Sequence, residues 1–145
     1  MRAKTAQIIL NSSFFNAKFH HVGIACKDIE RTFNDLQLFL PAQYECTEVI
    51  YDKGIKASLQ LISIGNQAYI ELVSGEVVKN FIKKDIRLYH SCFEVPEIEV
   101  FSNELKNKGF LPVTKLIPAE LFEGRLIQFF MTPFGLTEIL EAEND

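Results

Sequence analysis

His21-Val22-Gly23-Ile24-Ala25-Cys26-Lys27-Asp28-Ile29-Glu30 returns, 69 positions later, as His90-Ser91-Cys92-Phe93-Glu94-Val95-Pro96-Glu97-Ile98-Glu99. Each copy opens on histidine, runs through a short strand-like stretch, and passes an acidic residue into Ile-Glu. The pattern predicts a strand that gives way to a helix. Asp28 suits a helix N-cap because its carboxylate can accept from the first free backbone N–H groups. Beyond it, Ile29, Phe33, Leu36 and Leu40 recur at helical spacing until Pro41. In the second copy Pro96 and Glu97 open the helix and Ile98, Phe101 and Leu105 form its apolar face. Gly109 sits where a helix-ending glycine belongs.

Outward from these two stretches the same elements follow twice. Tyr44–Tyr51 reads as a strand, Asp52-Lys53-Gly54 as a turn, Ile55–Ile64 as a strand, Gly65-Asn66 as a turn and Ala68–Val73 as a strand. After the second helix, strands are predicted at Leu111–Ile117, Arg125–Met131 and Leu136–Glu141. The far ends also match, with Ile70-Glu71-Leu72-Val73 lying on Thr137-Glu138-Ile139-Leu140 at a shift of 67. Two matches at nearly one shift, at the same points in the element order, predict a duplication. The fold class is therefore α+β, with two tandem β-α-β-β-β modules over about 19–74 and 87–142. Val77, Val78, Phe81 and Ile82 share one face of a connecting helix over about 76–85. These parts make a single domain over 19–145, and residues 1–18 form an N-terminal lead-in.

Composition bounds the function. A chain of 145 residues with 48% hydrophobic residues and 13 Phe buries a real core and is not disordered. A net charge of −4 argues against a phosphate-tracking nucleic-acid binder. No apolar run approaches the ~20 residues of a membrane span. Cys26, Cys46 and Cys92 form no C-x-x-C pair and describe neither a disulfide framework nor a zinc site. The first residues lack the apolar core of a secretory signal, so a cytoplasmic location is expected.

Each module carries a histidine in its first strand and a glutamate in its last. Strand side chains alternate faces, so Glu71 points away from Ile70 and Leu72, and Glu138 away from Thr137 and Ile139. A carboxylate inside such an apolar strand is costly unless it is paired or metal-bound. A lone strand histidine is more often a hydrogen-bonded core residue, and a lone strand glutamate often faces solvent. Their joint recurrence in both modules favours a shared cation held by His21, Glu71, His90 and Glu138. His20, next to His21, is expected on the opposite face. Cys92 lies two positions after His90 on the same strand face, either lining the site or packing the core. Arg125 follows Gly124 at a strand start, either holding a substrate carboxylate or phosphate or standing as a surface charge. Phe129 and Phe130 point to opposite faces, one of them onto the module helix.

Three stretches carry a family resemblance. His21 to Ile29, His90 to Val95 followed by Ile98, and Gly135-Leu136-Thr137-Glu138-Ile139-Leu140 together resemble the vicinal oxygen chelate superfamily, in its glyoxalase and methylmalonyl-CoA epimerase branch. The likeness covers about residues 19–142. It implies eight strands curled into a cup-shaped, partly open barrel around a metal, with His21, Glu71, His90 and Glu138 in the four ligand places. Imidazole and carboxylate ligands suit one divalent ion such as Co, Ni, Mn, Zn or Fe. The resemblance implies a metal-dependent isomerase or epimerase that abstracts a proton beside a carbonyl, with Glu71 and Glu138 as proton carriers. A glyoxalase-like lyase and a non-catalytic small-molecule binder are the alternatives. It further implies a small-molecule substrate with adjacent oxygens, and a homodimer. The chain departs from the epimerase pattern where Phe129-Phe130-Met131-Thr132-Pro133-Phe134-Gly135 lacks the usual His-Pro-Lys segment. Ile55-Lys56-Ala57 likewise stands where some epimerases place an additional acid. The loop Ile117–Arg125 is longer and more apolar than expected.

Overall fold

The computed structural model describes residues 16–144. β1 (Lys18–Ala25) leads into α1 (Ile29–Leu36), followed by β2 (Glu45–Cys46), β3 (Ile50–Asp52), β4 (Ala57–Gly65) and β5 (Ala68–Gly75). A 3-10 turn at Glu76–Val78 and the short α2 (Lys79–Lys83) cross to the second half. That half comprises β6 (Leu88–Val95), α3 (Ile98–Asn107), β7 (Leu111–Pro112), β8 (Ile117–Pro118), β9 (Leu126–Thr132) and β10 (Gly135–Glu141). The expected lead-in over 1–18 lies, except for its last three residues, outside the described residues.

All ten strands belong to one mixed sheet ordered β2-β4-β5-β1-β6-β10-β9-β7, with β3 on β4 and β8 on β9. The order is two equal halves set back to back. β1 and β6 form the antiparallel joint, β1 runs parallel to β5, and β6 runs parallel to β10. The sheet ends at β2 and β7 and does not close.

The sequence pattern predicts eight strands and the sheet has ten, because the outer strand of each half is broken at a threonine. In the first half Thr47 Oγ1 accepts from Leu61 N at 3.0 Å, and Thr47 O accepts from Gln60 Nε2 at 3.1 Å. In the second half Thr114 Oγ1 accepts from Phe129 N at 3.0 Å, and Thr114 O accepts from Gln128 Nε2 at 2.9 Å. A side-chain oxygen here takes the N–H that a continuous ladder would use, so pairing stops and resumes beyond it. The same device at the same place in both halves is further evidence of the duplication.

The helices follow their sequence signals. Asp28 accepts from Arg31 N at 3.2 Å and caps α1, and Gly109 takes a φ of 89° just past α3. α1 covers Ile62, Leu72 and Cys26 on one face of the sheet, and α3 covers Val95, Phe130 and Ile139. Burying each of these larger side chains contributes roughly 1.5–3 kcal/mol. That packing fixes the register of β5 and β10. Because Leu72 and Ile139 must face the helices, Glu71 and Glu138 must face the other side.

Candidate metal centre

Four neighbouring strands in the middle of the sheet each contribute one side chain, in the order Glu71 on β5, His21 on β1, His90 on β6 and Glu138 on β10. All four are buried. Gly23 is paired with both Glu71 and His90, while Cys92 is paired with both His21 and Glu138. Gly23 and Cys92 are thus equivalent positions in the two halves.

The ligand-competent atoms converge. His21 Nε2 lies 3.0 Å from His90 Nε2, 3.1 Å from Glu138 Oε1 and 3.6 Å from Glu71 Oε2. His90 Nε2 lies 3.6 Å from Glu138 Oε1 and 3.7 Å from Glu71 Oε1. Two ligand atoms each about 2.1 Å from one ion stand about 3.0 Å apart at a right angle and about 3.4 Å apart in a tetrahedron. The spacings among His21, His90 and Glu138 are those of a coordination shell, while Glu71 stands further out and reaches the two imidazoles through different oxygens. The hydrogen bonding agrees, since only one proton can lie between two imidazole Nε2 atoms, whereas a cation can take both lone pairs. Glu138 Oε1, although close to His21, receives no aligned N–H and is buried without a hydrogen-bond partner. Such an orphaned oxygen calls for an explanation, and a cation supplies one. The donor set and geometry therefore fit a mid-row divalent ion.

Electrostatics tie the four together. Burial alone would push the His21 imidazole down, but the Glu71 and Glu138 carboxylates outweigh it and raise its pKa. Burial raises Glu71, helped by the Glu138 charge and opposed by the two imidazoles. Glu138 is also penalised by burial, yet His21 and His90 hold it well below the usual carboxylate range.

Two features escape a reading by strand alternation. His20, expected on the face opposite His21, lies beside it, because the β1–β6 pairing slips by one residue between Phe19 and His21. A bulge of this kind re-aims a side chain. The two Nδ1 atoms are 2.9 Å apart, and His20 stacks on Tyr69 with ring centroids 4.6 Å apart. Burial, and then the His21 charge, lower the His20 pKa to about 4, so it stays neutral and can accept from His21 Nδ1. Only the doubled His-His hints at this in the sequence. The second feature is the loop before β9. Its 3-10 turn, Glu120–Phe122, folds inward and lays Phe122 over His21 at 5.8 Å, nearly parallel. Asp52, whose Asp-Lys-Gly turn is legible in the sequence, fastens this loop. It accepts from Gly54 N at 2.8 Å and from Glu120 N at 3.1 Å.

The other residues that the sequence singles out fall elsewhere once folded. Cys92 is fully buried beside His20 and His21, and burial and then Glu138 raise its thiol pKa well above the ordinary value. Arg125 lies beyond Phe122, in a groove of about 880 Å³ that also touches His20. Its guanidinium is held by Glu94 at 3.1 Å and by the Glu141 carbonyl at 3.0 Å. Phe130 packs under α3, while Phe129 faces inward, edge-on to His90 at 5.2 Å. Leu121 and Phe122 separate that groove from a cavity of about 260 Å³ that has Glu71 and Glu138 in its wall. No helix among the described residues is long and apolar enough to cross a membrane.

A family model described as the Glyoxalase/Bleomycin resistance protein/Dioxygenase superfamily matches residues 20–129. No curated protein matches the chain. Among solved structures, the methylmalonyl-CoA epimerase of Mycobacterium tuberculosis is similar with a TM-score of 0.75 at 17% identity, over 94% of each chain. A hypothetical protein of Bacillus halodurans C-125 gives 0.72 at 20% identity, over 90% of this chain and 97% of its own. A Streptomyces coelicolor methylmalonyl-CoA epimerase variant, solved with 2-nitronate-propionyl-CoA, gives 0.72 at 16% identity, over 87% and 97%. At these identities the likeness is one of fold.

Proposed function

We propose that this chain, which belongs to the glyoxalase/bleomycin resistance protein/dioxygenase superfamily, is a metal-dependent enzyme of the isomerase or epimerase type. It moves a proton on a carbon beside a carbonyl. The observation that carries this reading is the convergence of His21 Nε2, His90 Nε2 and Glu138 Oε1 at 3.0–3.6 Å, with that carboxylate oxygen orphaned and the Glu71 carboxylate 3.6–3.7 Å from the two imidazoles.

His21, Glu71, His90 and Glu138 would hold one divalent ion of the Co, Ni, Mn, Zn or Fe group. When bound, the ion supplies a Lewis acid for two adjacent substrate oxygens and stabilises the negative charge that develops as the neighbouring carbon loses its proton. The residues of the chain do the rest. Glu71 and Glu138 stand on opposite sides of the histidine pair, so one can accept the proton from one face of the carbon and the other return it on the opposite face. Their strands are held by α1 and α3, so the carboxylates are preorganised. Phe122 lies across His21 and keeps bulk water from that side.

The test has two parts. Protein purified without chelators or a metal-binding tag should carry about one divalent ion per chain, lost in His21→Ala and His90→Ala. In deuterated water, candidate 2-substituted acyl thioesters or 2-oxo hemithioacetals should take up label at the carbon beside the carbonyl. Glu138→Gln keeps an oxygen donor but cannot accept a proton, so it should abolish labelling with metal content largely intact. Wild-type protein that stays metal-free in Co, Ni, Mn and Zn would overturn the enzyme reading in favour of a binder. Labelling that survives in both Glu71→Gln and Glu138→Gln would leave the carboxylates as ligands only.

A further inference from the structure

The cavity beside the metal centre has a chemical character of its own. Glu71 and Glu138 form its inner wall, and most of the rest is carbon, with Ile55, Phe81, Ile127, Phe129 and Leu136 prominent. Among the described residues no lysine or arginine lines it. Of its other polar groups, Tyr89 brings an uncharged hydroxyl, and Asp52 and Thr114 are already committed. Asp52 accepts from Gly54 and Glu120, and Thr114 Oγ1 accepts from Phe129 N. The half-exposed lining residues are apolar too, with Val77, Val113 and Met131 being 44%, 56% and 48% exposed. Arg125 and Lys18 line the separate groove instead, where Arg125 is paired with Glu94.

An anionic substrate arm in this cavity would lose its hydration and gain no counter-charge, beside two carboxylates that repel it. An apolar arm would replace water against carbon and be favoured roughly in proportion to the area it buries. Size gives the second limit. A dry apolar cavity of about 150 Å³ holds benzene, so 260 Å³ accommodates a phenyl ring or branched alkyl chain with a few further atoms.

Resting on the metal reading above, we infer that the substrate is a vicinal-oxygen compound whose arm next to the reacting carbon is uncharged and apolar, aryl or branched alkyl in class and about a dozen non-hydrogen atoms at most. The cavity excludes a carboxylate or phosphate from that arm.

The test uses the cobalt-loaded protein and hydroxamates, which present two neighbouring oxygens and differ only in the arm. The readout is the change in the cobalt visible spectrum on titration. Benzohydroxamate should bind about 10- to 100-fold more tightly than acetohydroxamate, from the buried ring area. Succinic monohydroxamate should bind no more tightly than acetohydroxamate. Leu136→Phe, which fills the cavity from β10, should cost benzohydroxamate at least about tenfold and leave acetohydroxamate unchanged. Met131→Lys, at a half-exposed position in the lining, should raise affinity for succinic monohydroxamate. Equal affinities for the three hydroxamates, or tightest binding of the charged one, would overturn the inference while leaving the metal centre in place. A protein with no cobalt spectrum would instead overturn the metal reading and this inference with it.

Discussion

Gly23→Ala should drive His90 out of the proposed metal site while leaving His90 itself unsubstituted. Gly23 is paired with His90 across the β1–β6 joint. A Cβ at Gly23 would lie 2.1 Å from His90 Cε1, 2.2 Å from Nδ1 and 2.8 Å from Nε2. Ordinary contacts between carbon atoms are about 3.5–4.0 Å, so the ring must retreat by about 1.5 Å. Metal ligands tolerate about 0.2 Å of misplacement. The alanine backbone itself is unstrained in a strand, and alanine gives up less conformational freedom than glycine. The penalty therefore comes only from the imidazole. Expected is a loss of Co affinity of at least about 100-fold, close to that of His90→Ala, with overpacking costing the metal-free protein about 1–3 kcal/mol. Isothermal titration with Co and thermal unfolding in chelator measure the two effects. The double variant Gly23→Ala/His90→Ala closes the cycle. It should unfold at a higher temperature than Gly23→Ala, because removing the ring removes the overlap. Wild-type Co affinity and unchanged stability in Gly23→Ala would refute the reasoning, since they would mean that His90 has room to stand elsewhere and still bind.

Two further predictions follow from the same geometry. If His20 orients His21 by accepting from its Nδ1, then His20→Phe, which keeps the stack on Tyr69, should weaken Co binding about 10- to 100-fold, whereas His20→Asn, which keeps an acceptor oxygen, should restore most of it. The reverse ranking in Co titrations would mean that His20 contributes only packing. Burial raises the Cys26 and Cys92 thiol pKa values, which lowers their thiolate fraction at pH 8, while Cys46 is exposed. A colorimetric thiol assay should count one fast-reacting cysteine in native protein and all three in guanidinium, and fast loss of Cys92 in the native state would contradict its buried placement.

Much of this architecture is legible in the order of residues alone. The recurrence of His21 to Glu30 at His90 to Glu99 carries the duplication, because each module folds by local rules: an N-cap at Asp28, a helical stripe ended by Pro41, a helix-ending glycine at 109. The same locality selects Glu71 and Glu138. A carboxylate between Ile70 and Leu72, or between Thr137 and Ile139, must face away from its neighbours, and period-two alternation is intrinsic to any strand. What alternation cannot contain is a departure from itself. His20 reaches His21 only because β1 slips against β6, and that slip belongs to the pairing of two strands rather than to either one. The break at Thr47 and Thr114 likewise depends on which N–H the partner strand presents. Arg125 shows the limit from the other side, since its ion pair with Glu94 spans 31 positions and no spacing rule foretells it. The inward fold of Phe122 rests on Asp52, 68 residues before the Glu120 N–H that it accepts. Periodicity and capping act within a few residues and are written in the sequence. Bulges, clamps and the choice of which apolar residues line a cavity arise from contacts between distant segments, and only the folded chain decides them.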